Sequence, residues 1–148
     1  MVSADQWTTT AAYTTIPENI RALWSRRAGK VGTYKDIFLI ETIGPLLLLY
    51  TFPNALKNAL WIHFIDNEAG QHALIKGSSS IESGDEVIGM TWSRIQRLRL
   101  LFYGDRVDSG GNPTDGLSRG RMDGPWGQVY KATIPDELKH SAAEEKFQ

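Results

Sequence analysis

From Ile37 to Phe52 the chain reads "IFLIETIGPLLLLYTF", an apolar run with one charged residue, Glu41. With Tyr34, Lys35 and Asp36 in front of it, the segment is too long for an ordinary strand and predicts a mostly buried helix over Tyr34–Phe52. Gly44 and Pro45 lie inside it. Proline supplies no amide donor and clashes with the preceding turn, so a kink or break is expected there. The most apolar part, Ile43–Phe52, falls short of the roughly 20 residues that cross a bilayer. A carboxylate on a buried helix is costly unless it is paired, so Glu41 needs either a partner or a cation. Taken alone, a glutamate in a helix is more often solvated or salt-bridged than a ligand.

The segments around this helix alternate in type. "QWTTTAAYTTI" (Gln6–Ile16), rich in threonine with spaced aromatics, predicts one or two strands. "PENIRALWSRR" (Pro17–Arg27) starts with proline and glutamate, which suits a short helix. "ALWIHFID" (Ala59–Asp66) predicts a buried strand, with Ile62, Phe64 and Asp66 on one face and Trp61, His63 and Ile65 on the other. "NEAGQHALIKG" (Asn67–Gly77) predicts a helix that stops at Gly77. "SSSIESG" (Ser78–Gly84) reads as loose. The spacing of Val87, Ile88, Thr91, Trp92, Ile95 and Leu98 predicts an amphipathic helix over Asp85–Leu100. "LLFYGDRVDS" (Leu101–Ser109) predicts a strand, and "GGNPTDGLSRG" (Gly110–Gly120) a turn and short helix. From Arg121 onward the chain is polar, and the end from Lys139 reads as frayed or weakly helical.

This order predicts an α/β domain with a mixed central sheet flanked by helices. The domain is expected over residues 1–126, with a tail over 127–148. At 148 residues, with 41% hydrophobic and 22% charged residues, the chain is long enough for one real core. It has no cysteine, which excludes disulfides, thiolate zinc sites and a cysteine nucleophile and fits a reducing, intracellular compartment, cytoplasmic or nuclear. "MVSADQWTTT" lacks the basic-then-apolar pattern of a secretory leader, and no membrane partner is expected. The net charge of −1 means that a nucleic-acid binder would need its basic residues gathered on one face.

Three acids stand out by position: Glu41 in the apolar helix, Asp66 at the end of an apolar strand, and Asp115 just after the last strand. Ligands of α/β sheets gather outside the carboxyl ends of strands. Clustered carboxylates suit Mg²⁺ or Mn²⁺, hard cations that bridge to phosphates. Two such ions about 3.5–4 Å apart activate water and stabilise a leaving oxygen in phosphodiester hydrolysis. Plainer roles stay open. Asp66 and Asn67 are both suited to cap the following helix, and Asp115 to a turn.

The wording around the acids adds to this. "FIDNEAGQHALIKGSSS" (Phe64–Ser80), then "DRVDSGGNPTDGLSRG" (Asp105–Gly120), resembles the ribonuclease H-like domain of retroelement reverse transcriptases, over about Tyr34 to Trp126. In that family a strand ends in Asp-Asn, a helix exits through Lys-Gly, and Asn-Pro-x-Asp-x-x-Ser-Arg follows. The "IETIGPLLLLYTF" segment is similar to the family's Glu-bearing helix. The resemblance implies a ribonuclease H-like fold and metal-dependent hydrolysis of the RNA strand of RNA–DNA hybrids, with Mg²⁺ or Mn²⁺ as cofactor. Glu41, Asp66 and Asp115 would be the catalytic and metal-holding carboxylates, and Asn67, Ser118 and Arg119 would face nucleic acid. The hybrid and the reverse transcriptase domain of the same polyprotein would be its partners.

Three departures bear on this. The family places a further Asp on an opening strand before a Gly-rich hairpin, whereas the early acid here is Asp5 and no glycine precedes Gly29. The first strand is therefore expected to be missing. Gly44-Pro45 interrupts the Glu41 helix, and Asp108 stands where the family has proline. The rival expectation is a truncated, inactive module of the same fold that binds nucleic acid or serves as a structural unit. His63 is expected in the core or on the sheet face, and His72 in solvent. Trp92 and Trp126 are expected to be core or interface aromatics. Arg94, Arg97, Arg99, Arg106, Arg119 and Arg121 are candidates for a phosphate-tracking face, although a solvated helix face is the favoured reading of the first three.

Overall fold

The computed structural model describes residues 10–29, 37–112, 114–121 and 126–144, without the side chains of Ser109, Asp115 and Ser118. It is a mixed α/β structure. In chain order the elements are β1 (Thr10–Tyr13), α1 (Glu18–Arg27), α2 (Ile37–Thr51), α3 (Pro53–Leu56), β2 (Leu60–Ile65), α4 (Glu68–Lys76), α5 (Glu82–Leu98), β3 (Leu101–Arg106), α6 (Asp115–Ser118), β4 (Gln128–Lys131) and α7 (Asp136–Glu144). A 3₁₀ turn, Ser109–Gly111, precedes α6.

The one mixed central sheet expected from the sequence is not found among the described residues. The strands form two separate parallel pairs, β1 with β4 and β2 with β3. Alternation of helix and strand favours parallel pairing, but it does not say which strands meet. Here the first described strand pairs with the last.

Apolar burial explains the main core. Ile20, Leu23 and Trp24 of α1 meet Leu39, Ile43, Leu46 and Leu47 of α2, Val87 of α5, Ala132, Ile134, and Leu138 and Ala142 of α7. Each large side chain fully buried in this way contributes about 1.5–3 kcal/mol. That sum decides the fate of Pro45. The sequence predicts a kink or break at Gly44-Pro45, yet α2 runs through both residues as one helix. A proline inside a helix costs about 3 kcal/mol. Burial of Leu39, Ile43, Leu46 and Leu49, all on α2, more than offsets it.

Arg27 joins α1 to α5 by ion-pairing with Glu86 and hydrogen-bonding Ser83 Oγ. Gly84 lets α5 approach α2 closely, because a Cβ there would lie 2.7 Å from the Phe38 ring. A second cluster lies at the other end of the same two helices. Leu49, Ile95, Leu98 and Leu100 pack with Leu56, Trp61, Trp92 and Phe102, and this cluster underlies β2 and β3.

Two further expectations are corrected. The stretch Ser78–Gly84, read as loose, already contains the start of α5 at Glu82. Side chains organise that start: Asp85 Oδ1 accepts from the Ser79 amide at 3.0 Å, and Ser79 Oγ accepts from the Ile81 amide at 3.1 Å. The segment after residue 126, read as a polar tail, supplies β4 and α7. Leu138 is fully buried, and the Thr133 amide donates to Thr51 Oγ1 at the end of α2 at 2.9 Å. A helix that buries one narrow stripe keeps a polar sequence, which is why composition hid it.

Candidate carboxylate site at the end of the parallel strands

The register of the β2–β3 pair sets Ile65 against Arg106. The Val107 amide then donates to the Ile65 carbonyl at 3.0 Å, so the two chains leave the sheet side by side. Asp66 follows Ile65 at this carboxyl end. Asn67, next in sequence, caps α4, with its Oδ1 accepting from the Gly70 amide at 2.7 Å. Gly77 closes the same helix in the left-handed conformation, φ 80°.

Glu41 reaches this end from α2. Helices α2 and α4 approach at Gly70, where a Cβ would lie 3.5 Å from both Thr42 Oγ1 and Asn67 Oδ1. The Glu41 carboxyl is held above the usual carboxylate range. Burial is the largest cause, the neighbouring Asp66 carboxylate adds to it, and a side-chain hydrogen bond with Asn67 partly offsets both. Its Oε2 is buried and has no hydrogen-bond partner. The structure therefore brings two of the sequence-selected acids together, Glu41 and Asp66, with Asn67 hydrogen-bonded to Glu41.

Asp115 opens α6, in the segment that returns to the same place. Asn112 Nδ2 donates to Asp66 Oδ2 at 2.9 Å. Asn112 Oδ1 accepts from both the amide and the hydroxyl of Thr114, at 3.0 and 2.7 Å. Leu117 of α6 is buried. The Asp115 and Ser118 side chains, and all of Asp5, lie outside the described residues. Among the described residues no group of three or more His, Asp or Glu side chains is placed to hold a metal ion. An orphaned buried carboxylate oxygen beside a second carboxylate nonetheless suits a hard cation, which would supply the missing partner and relieve the repulsion.

Sequence reading missed Asn112 as a member of this site. The sequence "NPT" signals the turn alone, in which the asparagine oxygen accepts from the backbone two residues on, and not the bond to Asp66. Two of the candidate arginines rest against other side chains. Arg94 lies over the Tyr50 ring at 4.4 Å, where a cation is held by the ring face. Arg106 pairs with Glu68 at 3.6 Å. Arg97, Arg99, Arg119 and Arg121 are exposed. His63 packs edge-on to Trp61, ring centroids 5.0 Å apart, and burial lowers its pKa to about 4. His72 is exposed. Trp92 is structural, donating its Nε1 to the Leu74 carbonyl at 2.8 Å. Trp126 is partly buried, and its Nε1 has no hydrogen-bond partner. No described helix is long and apolar enough to cross a membrane. No family model, curated protein or solved structure matches the chain.

Proposed function

We propose that this chain is a ribonuclease H-like unit that hydrolyses the RNA strand of RNA–DNA hybrids with Mg²⁺ or Mn²⁺, as part of a retroelement reverse transcriptase polyprotein. The observation that carries the reading is the meeting of Glu41 and Asp66, distant in sequence, at the carboxyl end of a parallel strand pair, with Glu41 Oε2 buried and unpartnered. The motif wording from Phe64 to Gly120 supports it.

In this reading Asp66 and Glu41 would hold the cation, and Asp115 would contribute from the start of α6. When bound, the cation supplies a Lewis acid and a water of lowered pKa. Asn67 keeps the Glu41 carboxyl ionisable by hydrogen-bonding it and fixes the start of α4 with the same side chain. Arg119, exposed at the end of α6, would face phosphate. Minor-groove shape and 2′-hydroxyls, rather than base sequence, would distinguish the hybrid from duplex DNA.

The test is cleavage of a hybrid labelled in its RNA strand, with Mg²⁺ or Mn²⁺ and with chelator. Metal-dependent cleavage is expected, falling by about 10²-fold or more in Asp66→Asn, on the scale of removing a group that stabilises the transition state. Cleavage that survives Asp66→Asn at the wild-type rate removes this site from the reaction.

A second reading is supported by a specific observation. The opening-strand Asp of the resembled family has no counterpart here beyond Asp5, and a site short of one carboxylate binds a pair of divalent ions poorly. The chain would then be an inactive module of the same fold that binds nucleic acid or serves as a structural unit. Calorimetric titration with Mn²⁺ separates the two readings, because only the active unit takes up the ion with measurable heat.

A further inference from the structure

We propose that Asn112 is a positioning residue. Its amide nitrogen orients the Asp66 carboxylate, and its amide oxygen folds the Asp115-bearing segment against the strand end. This deepens the metal-dependent reading above and rests on it.

The geometry divides the two halves of one side chain. Nδ2, with two donor hydrogens and no acceptor capacity, donates to Asp66 Oδ2 at 2.9 Å. That occupies one lone pair of one oxygen and holds the carboxyl group against rotation about its Cβ–Cγ bond. A hydrogen bond to a carboxylate is among the stronger ones in a protein, enough to favour one orientation. Oδ1, at the other end of the amide, accepts from the Thr114 amide and hydroxyl. This fixes the turn one residue before α6. The planar amide therefore couples the orientation of the strand-end acid to the path of the segment that carries Asp115.

Asn67 makes the same division next door. Its oxygen caps α4 through the Gly70 amide, and its side chain hydrogen-bonds Glu41. Each of the two acids is thus served by an asparagine that also fixes the backbone entering a helix. Groups that orient ligands in this way typically change metal affinity by 10–100-fold when removed.

The experiment compares wild type, Asn112→Ser and Asn112→Ala in the full chain, with Mn²⁺ alone as the calorimetric probe. Serine retains an oxygen that accepts from the Thr114 amide, but it is too short to reach Asp66. Alanine removes both roles. Expected are a roughly tenfold weaker Mn²⁺ affinity in both variants and faster amide hydrogen exchange over residues 114–121 in Asn112→Ala only. Wild-type Mn²⁺ affinity in Asn112→Ser overturns the proposal. A wild-type protein that binds no Mn²⁺ defeats the nuclease reading instead. The tie is then read without metal, from the Asn112 side-chain amide protons in the NMR spectrum. They should move upfield in Asp66→Ala, and signals indifferent to that substitution overturn the proposal.

Discussion

Both faces of the β2–β3 pair carry large apolar side chains, and the two faces meet opposite surroundings. On the inner face Ile65 is 6% exposed, and Trp61 and Phe102 pack on the cluster of Leu49, Ile95, Leu98 and Leu100. On the outer face Leu60, Ile62, Phe64, Leu101 and Tyr103 alternate with them and stand 51–71% exposed. Parallel strands are normally covered on both faces and read as continuous apolar runs. The strands here have that sequence, but among the described residues only one face is packed. Hydrophobicity in a strand therefore states that a side can be buried. What stabilises the fold is the neighbour that actually arrives.

The largest test of this contrast is a matched pair of substitutions. Ile65→Ala should cost about 2–5 kcal/mol of unfolding free energy, the range for a buried isoleucine. Ile62→Ala, three positions away on the other face, should cost less than about 1 kcal/mol. Urea denaturation measures both. Equal losses would mean that the outer face is covered.

Next in size is a pH effect confined to the inner face. His63 titrates near 6.5 when unfolded and near 4 in the fold, because burial disfavours its charged form. Between these values the unfolded chain binds more protons. Stability from this residue is therefore complete above about pH 6.5 and falls with pH through the window, the loss being complete near pH 4. It amounts to about 3 kcal/mol. His63→Phe should flatten that part of the stability–pH curve.

The carboxylate end of the strands gives a smaller and opposite effect. Glu41 titrates above its ordinary value in the fold, so the folded chain holds its proton longer than the unfolded one. Its contribution is greatest below the unfolded pKa and is lost as pH rises through the raised one. Glu41→Gln should therefore raise the melting temperature of the metal-free protein at pH 7, while weakening Mn²⁺ binding. A group that lowers stability in order to hold a ligand is the signature of a functional site. A lower melting temperature in Glu41→Gln would instead mark it as structural.

The smallest expected change belongs to the outer face. Threonine keeps the β-branched shape that suits a strand. Ile62→Thr and Leu101→Thr should each shift stability by no more than about 0.5 kcal/mol and should raise solubility by breaking an apolar patch. Unfolding and light scattering on the same samples check both parts.

Local chemistry makes several elements legible in the sequence. Pro17-Glu18 marks the start of α1, and Gly77 the left-handed end of α4. Strict alternation in "LWIHFI" assigns the right residues to the two faces of β2. Asp66 and Glu41 can be selected because an acid in an apolar segment is costly wherever the chain folds. Asn112 is harder to find. Its role comes from a hydrogen bond to Asp66, 46 positions away, and no local pattern encodes such a partner.

The sequence by itself determined the periodicities, the caps and the positions where charge interrupts apolar runs, since these depend on neighbours within a turn or two. The tertiary structure alone decided that β1 pairs with β4, that α2 runs through Pro45, that the polar stretch after residue 126 becomes β4 and α7, and that Glu41 meets Asp66. Each of these rests on contacts between distant segments. There, burial of several side chains at about 1.5–3 kcal/mol each outweighs local preferences of about 1 kcal/mol, or about 3 for proline.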